Sequence, residues 1–117
     1  IISSAISTAD AYLIIPRPLK LGRLALSATG TIAKSAPPIV GVTSTASAIT
    51  LTLPNVSQIH RWITIKDESG GAATNNITVQ RGGTALIDGA TSVAINTNYG
   101  YVTLYSNGTN WSIVARG

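Results

Sequence analysis

The sequence predicts an all-β fold: a small antiparallel β-sandwich or barrel-like domain preceded by an extended N-terminal arm. Three observations carry that expectation. Apolar and polar residues alternate with period two in short segments, turn residues recur about every ten positions, and no window between them has helical periodicity. The chain of 117 residues holds one domain, or one small domain and an arm. Its 44% hydrophobic and 10% charged content excludes a disordered chain, and it leaves a long exposed helix without the Lys and Glu it needs.

Taken in order, the chain changes character at Pro37-Pro38, which divides it into an arm, residues 1–38, and a β domain, residues 39–117. In the arm, Ser7-Thr8-Ala9-Asp10 opens either a helix of two turns or a stretch that gives way to a strand at Ala11–Ile15. Pro16-Arg17-Pro18 then breaks any regular element. Leu19, Leu21, Leu24 and Leu26 follow no single period, so this third reads as extended with one or two short strands. The chain opens on Ile1 rather than Met, which suggests processing or excision from something longer. Ile1-Ile2-Ser3-Ser4 lacks the basic stretch and apolar core of an intact secretion signal.

Beyond Pro38 the strands are explicit. Ile49-Thr50-Leu51-Thr52-Leu53 stops at Pro54-Asn55. Trp62-Ile63-Thr64-Ile65-Lys66 closes on Asp67-Glu68-Ser69-Gly70-Gly71. Asn76–Gln80 ends at Gly82-Gly83, Leu86-Ile87 stops at Asp88-Gly89, and Ser92–Thr97 alternates again. Tyr101–Tyr105 and Trp111–Ala115 flank Asn107-Gly108, the doublet preferred in a two-residue type I′ hairpin. That turn pairs Leu104 with Trp111 and Val102 with Ile113 on the core face. Tyr105, Thr103 and Tyr101 then oppose Asn110, Ser112 and Val114 on the other.

Several functions are excluded or disfavoured by composition. The eight basic residues are dispersed over Arg17, Lys20, Arg23, Lys34, Arg61, Lys66, Arg81 and Arg116, unlike the clustered footprint of a nucleic-acid binder. No apolar run reaches membrane-spanning length. Cysteine is absent and His60 is the sole histidine, so no cofactor or metal site is expected. Asp10, Asp67, Glu68 and Asp88 are the whole carboxylate supply, too few and too scattered for glycoside cleavage, and no serine sits in a nucleophile elbow. Asp67-Glu68 reads as a solvated turn rather than a calcium loop, which needs several spaced oxygen ligands. The four Asn-x-Ser/Thr sequons at Asn55, Asn76, Asn107 and Asn110 follow from composition, the chain having 12 Ser and 15 Thr. The chain is expected to be no enzyme.

Strands with so few Lys and Glu at their edges point to self-association. Trp111 belongs to the core in the hairpin register, whereas Trp62 is balanced between packing and a sugar-stacking platform. Tyr99, Tyr101 and Tyr105 lie on the non-core side and favour a subunit interface over a receptor face.

Five segments in order carry a resemblance: Ile49–Pro54, Ile63–Gly70, Asn76–Val79, Leu86–Ala90, and the run Val102–Trp111 containing Ser106-Asn107-Gly108-Thr109-Asn110-Trp111. Together they resemble a small β domain of bacteriophage tail fibres and related virion appendages, over about residues 49–114. The resemblance implies a virion structural protein, commonly a homotrimer, that builds a fibre or contacts host-surface glycans. It transfers no catalytic residue. Attachment to other virion proteins falls to the N-terminal arm, which departs from the family pattern. A carbohydrate-binding adhesin tip and a capsid decoration protein are the alternative expectations.

Overall fold

The computed structural model describes residues 22–55 and 60–117. Among these there is no helix; nine strands form two facing sheets. They are β1 (Arg23–Leu26), β2 (Gly30–Thr31), β3 (Ile39–Val42), β4 (Ile49–Thr52) and β5 (Trp62–Asp67). β6 (Ile77–Gln80), β7 (Ser92–Ile95), β8 (Tyr101–Ser106) and β9 (Trp111–Arg116) complete the set. One sheet has the order β1-β3-β5-β8-β9 and the other β2-β4-β6-β7.

The all-β expectation is met, and of sandwich and barrel the chain takes the two-sheet form, but the pairing is mixed rather than antiparallel throughout. From β1 to β6 the chain crosses between the sheets at every step. Each strand therefore lies beside the one two places earlier and runs parallel to it, as in β1–β3, β3–β5, β2–β4 and β4–β6. The result is three stacked coils, each contributing one strand to each sheet. Parallel pairing needs a long return path; here the opposite sheet supplies it. Only the last third turns back, as the antiparallel pairs β6–β7, β5–β8 and β8–β9.

The boundary expected at Pro38 does not separate arm from domain. β1 and β2 are integral to the two sheets, and Ile32 is fully buried. The helix or strand expected within Ser7–Ile15 lies outside the described residues. β3 was not expected as a strand. Its Val40 and Val42 point into the core, Ile39 points out, and Gly41 lies under the Glu68 side chain. Leu86-Ile87 forms isolated bridges instead of a strand, with Ile87 paired to Ala90 and Trp111.

Period-two alternation builds the core. Ile49, Leu51, Ile63, Ile65, Ile77, Val79, Val93, Ile95, Val102 and Leu104 all face inward, while their neighbours carry Thr, Ala, Lys and Tyr outward. Turns stack as the strands do. Thr45 Oγ1 meets Ser69 Oγ at 2.6 Å, Asn75 donates to the Thr45 carbonyl, and Thr43 N–H donates to the Leu26 carbonyl.

The hairpin register also differs from expectation. Ser106 pairs with Trp111 and Leu104 with Ile113, so the loop is Asn107–Asn110, four residues long. The Asn107 side chain accepts the N–H groups of Thr109 and Asn110, an arrangement that a two-residue loop has no room for. A displacement of two residues preserves the faces: Val102, Leu104 and Trp111 are buried and Ile113 packs against the core. The type I′ geometry occurs elsewhere, at Asp88 (φ 46°) and Gly89 (φ 80°), closed by reciprocal Ile87–Ala90 hydrogen bonds.

Candidate functional site on the five-stranded sheet

The outer face of the five-stranded sheet gathers most of the side chains that the sequence singled out. Its surface is organised in rows across the strands. One row runs Arg23, Ile39, Thr64, Thr103 and Ala115, and a second runs Ala25, Gly41, Lys66 and Tyr101. The third is Trp62, Tyr105 and Ser112.

Trp62 and Tyr105 face each other across the β5–β8 pair with ring centroids 5.4 Å apart and planes tilted by 53°. This is the tilted geometry favoured by ring quadrupoles. The indole remains 54% exposed at the start of β5, two residues before the pairing with β3 begins at Thr64. Arg61, just before it, turns away from the face and donates to the carbonyls of Lys34, Ala36 and Pro37. Partial burial pulls the Arg61 pKa down, yet these carbonyls tie β5 to the connection preceding β3. Next to the aromatic pair, Thr64 and Thr103 share a 2.9 Å hydroxyl hydrogen bond.

Tyr101 and Tyr105 are four residues apart on one strand, about 13 Å along it, so the tyrosines do not form one cluster. Tyr99 leaves the strand altogether. It sits in the preceding turn with φ 59°, largely exposed, its ring covering Gly70. Lys66 Nζ lies 5.8 Å from the Tyr99 ring centroid and donates to the Tyr99 carbonyl. The site residues thus fall into two groups: Trp62 with Tyr105 at one end of the face, and Tyr99 with Tyr101 around Lys66 at the other.

Two further apolar residues are exposed on this surface: Ile39, which the sequence reading did not single out, and Val114, which it placed on the non-core side opposite Tyr101. Ile39 is 44% exposed in the central row. Val114 is 47% exposed at a β-bulge, where the register passes from Leu104–Ile113 to Thr103–Ala115. Charge is sparse here. Arg23 pairs with Glu68 above Gly41, and that guanidinium holds the Glu68 carboxyl below its usual range. Lys66 is the other charged side chain in these rows.

Asp67 was expected in a solvated turn, and the structure corrects that. Its carboxylate is buried. Oδ1 accepts Ser69 N–H, Ser69 O–H and Gly70 N–H, and Oδ2 accepts Ala72 N–H and Tyr99 N–H. Burial pushes its pKa up, but the five donors outweigh that and hold it below the usual carboxylate range. The donors occupy both oxygens, so Asp67 fastens the turn that positions Tyr99. Among the described residues no group of three His, Cys, Asp or Glu converges to hold a metal, and no helix is long and apolar enough to cross a membrane. No protein-family model matches the chain, and no curated protein matches it in sequence.

Proposed function

We propose that this chain is a non-enzymatic structural subunit of a bacteriophage virion, a fibre or similar appendage, assembled as a homotrimer through the outer face of its five-stranded sheet. The observation that carries the reading is the character of that face. Ile39, Trp62 and Val114 are about half exposed among threonines and tyrosines, with one ion pair and one lysine for charge. Such a surface gains from removal of apolar area from water, at about 25 cal/mol per Å², and lacks the like charges that keep copies apart. The phage assignment rests on the ordered motifs between Ile49 and Trp111. In this reading the N-terminal segment contacts other virion proteins.

Sedimentation equilibrium on the purified chain tests the assembly. A trimer is expected at micromolar concentration, and Ile39→Lys combined with Val114→Lys is expected to give a folded monomer. A wild-type chain that stays monomeric as its concentration is raised overturns the proposal.

A second reading draws on one observation, the half-exposed indole of Trp62 backed by Tyr105. Aromatic faces of this kind stack on sugar rings, and the reading makes the sheet end a host-glycan contact. Binding to a glycan array that disappears in Trp62→Ala, with assembly intact, would select it; silence on the array leaves the structural role.

A further inference from the structure

The loop between β8 and β9 holds a chemistry that assembly does not use. Of the seven asparagines, Asn107 alone is followed by glycine. It is exposed, and its Oδ1 accepts Thr109 N–H at 2.9 Å and Asn110 N–H at 2.8 Å. The next backbone nitrogen, that of Gly108, has its N–H directed to Ser106 Oγ at 3.2 Å. Gly108 has φ 89° and no side chain to shield the carboxamide carbon.

We propose that Asn107 is a self-modification site, where the Gly108 nitrogen attacks Asn107 Cγ and converts the asparagine to aspartate and isoaspartate. Solvent base removes the Gly108 amide proton, and the nitrogen lone pair forms a bond to Cγ. This closes a five-membered ring with Cβ, Cα and the carbonyl carbon of Asn107. The Cγ–O π electrons move onto Oδ1. When they return, the Cγ–Nδ2 bond breaks, Nδ2 takes up a proton, and ammonia leaves a succinimide. One water then opens the ring without any oxidation or reduction. Cleavage at Cγ–N yields aspartate in an unchanged main chain; cleavage at the α-carbonyl yields isoaspartate, with the chain rerouted through Cγ.

The reason to expect this in the folded chain is electrostatic. Negative charge develops on Oδ1 during attack, and two backbone N–H groups already point at that atom. Donors fixed before the reaction stabilise the developing charge without reorganisation, and they bind an oxyanion more strongly than a neutral amide oxygen. The five-membered closure is intramolecular, and Ser106 holds the nucleophilic nitrogen in one orientation.

Peptide mapping by mass spectrometry tests this on the full chain, folded and in urea, during incubation at mildly alkaline pH. Asn107 is expected to convert an order of magnitude faster than every other asparagine, giving both acid products, and at least as fast folded as unfolded. The comparison with urea separates assistance by the turn from the reactivity of the dipeptide alone. Slower conversion in the folded chain than in urea, or earlier conversion of another asparagine, overturns the proposal.

Discussion

Asp67 and Trp111 are opposite cases of buried polarity. Every donor around the Asp67 carboxylate is a backbone or hydroxyl group of a turn, so Asp67→Asn replaces an acceptor with an amide group that faces N–H donors. The expected cost is about 1–3 kcal/mol, read as a lower denaturation midpoint, together with looser hydrogen-exchange protection at Tyr99 and Gly70. The pH dependence follows from the sign of its shift. The folded carboxyl has the lower pKa, so its stabilisation is complete at neutral pH. It begins to fade as pH falls through the unfolded value near about 4, and it is gone below the depressed folded value. Wild-type stability should therefore fall in acid more steeply than that of Asp67→Asn. Trp111, by contrast, buries an indole Nε1 with no hydrogen-bond partner among the described residues. Trp111→Ala should cost about 3–5 kcal/mol in lost packing. Trp111→Phe should cost much less, because the ring it loses carries a polar atom that contributes nothing; thermal unfolding of the two variants makes the comparison.

At the scale of elements, alternation made the strands and their inward residues legible, while the pairing was hidden. Period two says which side chains share a face; it does not say which sheet a strand joins. The connection after β3 contains no tight-turn doublet, but that after β5 holds Gly70-Gly71 and still crosses to the other sheet, so a doublet alone does not mark the reversals at Asp88-Gly89 and Asn107-Gly108. Both of these last doublets suit a two-residue turn, but Asn107-Gly108 spans a longer loop because the Asn107 side chain accepts the N–H groups of Thr109 and Asn110 in competition with backbone pairing. Val114 was placed on the outer face by alternation, but its expected pairing with Tyr101 is lost because a bulge shifts the register. Asp67 escaped notice because its burial depends on Tyr99, 32 positions away. Coil stacking leaves a signature at Gly82, where an added Cβ would meet the Leu53 carbonyl of the neighbouring coil. Gly82→Ala should force β4 and β6 apart and cost about 1–3 kcal/mol, measured by urea denaturation.

For the whole molecule, the surface that sequence reasoning chose as an interface is one coherent face, although its tyrosines are divided between the two ends. Association through such a face is apolar in origin. Raising the salt concentration should leave the proposed trimer intact or tighten it, since screening acts on exposed charges and the chain's net charge of +4 opposes assembly. Sedimentation across a salt series measures this; dissociation at high salt would point to ionic contacts instead.

The winding from β1 to β6 has a further consequence. Each coil rests only on the coils beside it, so the molecule is modular along the stacking direction. Another coil inserted between existing ones would meet the same kind of neighbours on both sides. Its length can thus be tuned in whole turns, as a spacer is, without redesigning the antiparallel cap at the far end.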